Sequence, residues 1–144
     1  MIERYADLET ALRERGEFIC PIRGTSMMPM LDQNTDAVRL VFCDGARERL
    51  KRGDLPLYRG ENGELILHRI IGAKKNGYRF CGDNCTAVEK VPFEAVIGRA
   101  VGYFKNGSYV SVEDAAYLRY VRQAMRGRTL RRIKQLLRGM LRRK

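Results

Sequence analysis

The chain has no apolar run approaching the ~18–20 residues needed to cross a bilayer. Its opening, residues 1–18, mixes charges with apolar groups where a secretory signal would carry an uninterrupted apolar core. A cytoplasmic protein is therefore expected, with peripheral membrane association as the variant to test. There is one histidine, His68, and of the four cysteines only Cys81 and Cys85 stand close together in sequence. Cys20 and Cys43 are isolated, so reduced thiols are favoured over a zinc site, and neither metal nor cofactor is expected. Repeats and low-complexity linkers are missing as well. Acid is absent after Asp114: all 17 acidic residues lie at or before it, with 17 Lys and Arg in the same stretch. The formal charge of +11 thus belongs to the last thirty residues, and a neutral body is followed by a basic tail.

What is present suits one mainly β domain. A hydrophobic fraction of 44% in 144 residues supplies a single core. Residues 2–15 read as a short helix, with Tyr5, Leu8 and Leu12 at helical spacing and Gly16 as its stop. Short β-type runs follow at 17–22, 37–43, 55–59, 65–72, 78–81, 96–104 and 109–112. Asp44-Gly45, Asn62-Gly63, Asn76-Gly77 and Asn106-Gly107 supply turn signals between several of them. The run 65–72 reads as a central strand of an antiparallel meander, whereas Pro56 requires an edge strand or a bulge. Domain 1–114 is then the β body. From 115 to 144 the period becomes helical, with Gly127 expected to break the helix in two and Gly139 to fray its end.

Chemistry concentrates in a few segments. Arg23-Gly24-Thr25-Ser26-Met27-Met28-Pro29 follows a strand and can present Ser26, exposed yet held, as a nucleophile; a plain turn is the alternative. His68 is a competent general base near neutral pH, although a lone strand histidine is often structural. Asp83, in Cys81-Gly82-Asp83-Asn84, and Glu89 are both candidates to hold the second imidazole nitrogen of His68. Turn capping is the alternative role for Asp83, and a solvated charge is that for Glu89.

In order, Gly24-x-Ser26-Met27-x-Pro29, Arg52-Gly53-Asp54, His68-Arg69-Ile70-Ile71, Gly82-Asp83-Asn84 and Val96-Ile97-Gly98-Arg99 resemble the signal peptidase family within its serine-peptidase clan. The resemblance covers roughly residues 17–104. It implies a β-rich peptidase fold with Ser26 as nucleophile. Bacterial-type members and SOS-type repressors have lysine where this chain has His68, so the resemblance is closer to the endoplasmic-reticulum and archaeal Ser/His type. In that type an acid at or after the Gly-Asp-Asn box completes the triad, here Asp83 or Glu89. The chain departs from the pattern in showing no apolar run long enough for the family's transmembrane segment and in carrying Gly24 where many bacterial-type members have a hydroxyl for the oxyanion hole. The implied activity is cleavage of a leader or signal-like peptide, with small residues before the cut and a peptide or precursor protein as partner. The alternatives are a self-cleaving regulator and a non-catalytic binding module working through the tail. The former would need an Ala-Gly pair that the sequence lacks.

Residues 128–144 carry eight Lys and Arg, with Leu130, Ile133, Leu136, Leu137, Met140 and Leu141 as an apolar stripe. That layout suits an anionic membrane surface. Packing on the body or on a partner is the next reading, and nucleic acid is disfavoured because no aromatic residue follows Tyr120.

Overall fold

The computed structural model describes residues 5–142. Helix α1 spans Tyr5–Arg15, so the first residues of the expected helix, 2–4, lie outside the described residues. Nine strands follow: β1 Glu17–Pro21, β2 Ala37–Phe42, β3 Pro56–Arg59, β4 Leu65–Leu67, β5 Arg69–Lys74, β6 Gly77–Cys81, β7 Glu89–Pro92, β8 Val96–Lys105 and β9 Ser108–Ser111. Helix α2, Ala115–Arg142, closes the order. The protein is mainly antiparallel β, as the alternating runs and Asn-Gly turns imply.

Two sheets share the work. One runs β1-β2-β8-β3-β4, with β9 added alongside the far half of β8; the other is β5-β6-β7. Side chains alternate between two cores because successive residues of a strand point to opposite faces. Leu57 and Ile97 enter the larger core with Leu12, Leu31 and Leu40, while their neighbours Tyr58 and Val96 enter the smaller one with Ile70, Tyr78 and Phe80. Leu8 and Leu12 bring α1 onto the larger core, and its exposed side carries the Arg13–Glu9 pair.

Three expectations are corrected or narrowed. The run 65–72 is not one central strand: it pairs with β3 up to Leu67 and with β6 from Arg69, so His68 falls in the step between sheets. Apolar periodicity cannot reveal this, because Leu65, Ile66 and Leu67 pack into the two cores alternately and Ile70 is buried beyond them. Second, β3 is not an edge strand, being flanked on both sides by β8 and β4; of the two expected ways to accommodate Pro56, it is the bulge that occurs. Pro56 is tolerated because it is the first residue of the strand, β4 pairing begins only at Leu57, and a bulge follows at Leu57/Tyr58. Third, α2 runs unbroken through Gly127 and Gly139. A glycine costs a helix about 1 kcal/mol, which the surrounding Leu, Arg, Ala and Met residues outweigh.

Lys105 and Asp36 fasten the loop after β1 to the β8–β9 turn. The buried Asp36 carboxylate accepts from Lys105 Nζ (2.7 Å), Asp32 N (2.8 Å), Thr35 Oγ1 (2.9 Å) and Asn106 N (3.1 Å). Burial acts to raise its pKa, but the Lys105 bond and the backbone and hydroxyl donors prevail and hold it at about 2. A carboxyl depressed on folding contributes stability that is full above its unfolded value and is lost as pH falls through the folded one. Thermal melts of wild type and Asp36→Asn should therefore differ most above about pH 4 and converge as pH approaches about 2.

Candidate active site

The segment after β1 is a turn nailed down by its own apolar residues. Met27, Met30 and Leu31 are all buried, so the intervening chain cannot swing out, and Ser26 is left half-buried at the surface. Gly24 begins the turn with φ +75°, a left-handed conformation that favours glycine. Its N–H donates to Gln33 Oε1 at 2.9 Å. The segment 82–85 crosses over this turn. Asn84 N donates to Ser26 O (2.9 Å) and Asn84 Nδ2 to Thr25 O (3.1 Å).

Gly82 makes that crossing possible. A Cβ there would lie 2.6 Å from Ser26 O and 3.2 Å from His68 Cδ2, so any side chain would wedge the serine turn away from the imidazole strand. Ser26 and His68 accordingly line the same cleft, about 720 Å³ in volume and mostly apolar. The Ser26 hydroxyl makes no hydrogen bond among the described residues, and such contacts in ligand-free sites often close only around substrate. The Ser26 amide is likewise unpaired among the described residues, leaving a backbone donor beside the hydroxyl.

The two candidate carboxylates part company. Glu89 Oε1 lies 2.7 Å from His68 Nδ1. This contact favours the tautomer with the proton on Nδ1, freeing Nε2 to act as acceptor. Asp83 does not reach His68. It forms a bidentate pair with Arg69 (Nε to Oδ1 and Nη2 to Oδ2, both 2.7 Å) and accepts from Tyr120 Oη at 2.9 Å. Arg69, 1% exposed, also donates to Gly53 O (2.9 Å) and Tyr117 Oη (3.1 Å). Burial opposes its charge, yet Asp83 and then Tyr117 raise its pKa above the ordinary arginine value. Adjacent residues thus do separate jobs: His68 faces the cleft while Arg69 locks the segment 82–85 and α2 to the body.

Tyr58 and strand β7 are additions that the sequence reading missed. Tyr58 is fully buried, stacked on Phe80 at 4.2 Å, with its hydroxyl 3.2 Å from His68 Nδ1. Burial first and Glu89 second push its phenol upward, so it stays protonated and serves as a donor beside the carboxylate. Only its occurrence in an alternating β run hinted at burial; nothing hinted at His68. Strand β7 begins at Glu89, and pairing of Glu89 with Phe80 on β6 brings the carboxylate to His68. A four-residue strand with a solvated lysine and a proline has no strong periodic signal.

Three of the four cysteines are poor competitors to Ser26 as nucleophiles. Burial raises the thiols of Cys20 and Cys81, the latter against the opposing charge of Arg128, and pushes Cys43 up to about 12. All four are free, and no cluster of metal-ligating side chains occurs among the described residues. No family model matches the chain, and no curated protein matches it in sequence.

Proposed function

We propose that the protein is a serine endopeptidase that cleaves an extended leader or signal-like peptide by acyl transfer. The observation that supports this reading is the meeting of Ser26 and His68 in one cleft, with Glu89 on the far nitrogen of the imidazole. His68 Nε2 takes the Ser26 Oγ proton as Oγ attacks the scissile carbonyl, and then delivers it to the leaving amine; water repeats the cycle on the acyl-enzyme. Glu89 stabilises the transient imidazolium, and the Ser26 amide donates to the oxyanion. With Gly24 in place of a hydroxyl residue, oxyanion stabilisation rests on the backbone.

The cleft suits an extended chain. Strands β1 and β4 terminate opposite ends of their sheet, each pairs on one side only among the described residues, and both line the cleft. A peptide entering between them gains strand-like hydrogen bonds, with its alternate side chains on the apolar floor. No described helix is long and apolar enough to cross a membrane. As part of the same proposal, the reaction takes place in the cytoplasm, on precursors that carry a removable leader. Incubating the full chain with a proteome-derived peptide library and mapping new N-termini tests this reading. Cuts following small residues are expected; equal cutting by Ser26→Ala would overturn the assignment.

Tyr58 is a positioning residue in this scheme. Tyr58→Phe removes the hydroxyl that helps hold the His68–Glu89 pair in place, so the imidazole is less well aligned with Ser26, and the carboxylate, freed of that donor, favours the resting imidazolium, which cannot accept the Ser26 proton. We expect a kcat lower by roughly three- to tenfold with KM little changed. The acid limb of the pH–rate profile should move upward; a superimposable profile would restrict Tyr58 to packing.

A further inference from the structure

Helix α2 has two halves with different surroundings. In the first, Tyr117 is buried, Tyr120 and Val121 pack on the larger core, and the Tyr120 hydroxyl meets Asp83. Arg128 follows, donating to Cys85 O (2.8 Å), Gly82 O (3.3 Å) and Cys81 Sγ, and Arg131 reaches Asp83 O. At about 100° per residue these body-facing positions occupy an arc of about 100°. Beyond Arg131 no hydrogen bond joins the helix to the body among the described residues.

The apolar stripe lies on the opposite side. Leu130, Ile133, Leu136, Leu137, Met140 and Leu141 fall within an arc of about 140° centred almost diametrically from the body-facing one. Each is between 48% and 74% exposed. The stripe is therefore not a packing face for this body. Arg132 and Lys134 border it, and Arg119, Arg122 and Arg126, all exposed, continue its line toward the first half of the helix. No acidic residue occurs anywhere in the helix.

We infer that this outward face of α2 docks on an anionic lipid bilayer, the stripe entering the headgroup boundary and the flanking arginines and lysine binding lipid phosphates. Charge selects this occupant. A second copy would bring the same uncompensated basic borders together, whereas an anionic bilayer neutralises them and takes up the apolar side chains. Arg128 and Arg131 on the inner side tie the same rigid helix to the segment 82–85, which crosses the Ser26 turn. The docking surface and the cleft are thus parts of one connected unit, although docking itself requires no peptidase activity.

The test uses the full chain and vesicles of phosphatidylcholine with or without phosphatidylglycerol. Co-sedimentation should be at least roughly tenfold tighter with phosphatidylglycerol. It should be lost in Leu137→Asp/Met140→Asp, whose melting temperature should match wild type because both positions are more than half exposed. The chain contains no tryptophan, so Leu137→Trp is a clean reporter: its emission should shift to the blue on anionic vesicles, while that of Gln135→Trp, on the body-facing side, should not. Wild-type binding by the double variant, equal shifts from both tryptophans, binding to duplex DNA without binding to vesicles, or a stripe-dependent dimer that ignores lipid would each overturn the inference.

Discussion

Alanine at Ser26 or at His68 is expected to lower kcat for peptide cleavage by roughly 10⁴ to 10⁶, with the double variant no worse than either alone. The two groups act on one proton, so losing either ends the same step and the losses do not add. Glu89→Gln belongs to the same experiment. An amide can still meet His68 Nδ1, but it neither stabilises the imidazolium nor enforces the Nδ1–H tautomer, and a fall of roughly 10² to 10⁴ is expected. Glu89 is 37% exposed, so the melting temperature of this variant should stay close to that of wild type. Steady-state cleavage of a mapped substrate, measured beside thermal melts, separates chemistry from folding. Retention of more than about a tenth of wild-type kcat by Ser26→Ala would remove it as nucleophile.

Asp83→Ala should show the reverse signature. Its carboxylate is bound bidentately to an arginine that is 1% exposed, and removing it strands that guanidinium in the interior. Breaking a buried pair from one side costs about 3–5 kcal/mol, which for a chain of this size lowers the melting temperature by roughly 10 °C or more. Loss of the Tyr120 bond adds to the cost, because α2 and the segment 82–85 are held through the same carboxylate. Replacing the pair together, Arg69→Met with Asp83→Leu, should recover much of the loss, since no uncompensated charge remains. A stable Asp83→Ala protein would show that the pair does not carry the fold. Asp83 and Glu89, indistinguishable as spacings, are thus expected to separate cleanly by what they break.

Much of the scaffold was legible along the chain. Seven runs of alternating apolar residues, several bounded by Asn-Gly turns, located eight of the nine described strands, wholly or in part; β7 was invisible, and 65–72 held both β4 and β5 and concealed the boundary between them. The difficulty at 65–72 is physical. A segment buried on both faces reads as a continuous apolar run whether it stays in one sheet or crosses to another, because burial is the same and only the pairing partner changes. The site residues show the same limit. Spacing could bring out Ser26 and His68 as chemically able groups, but it could not rank Asp83 against Glu89, since their distances from His68 are set by the β6–β7 pairing and by Arg69. Tyr58 lay unmarked for the same reason: its neighbour in space is ten residues away across the β3–β4 hairpin.

By itself, the sequence determined the local preferences: the β body, the helical periods at both ends, the glycine-bounded serine turn, and a charge excess confined to the residues after Asp114. Those properties depend on neighbours within a few positions, which is the range over which turn chemistry and hydrophobic period act. Tertiary structure decided the rest: that His68 stands in a step between two sheets, that Glu89 meets it while Asp83 holds Arg69, and that α2 turns its stripe away from the body. Each depends on contacts between segments far apart in the chain, and their free energy appears only when the segments pack.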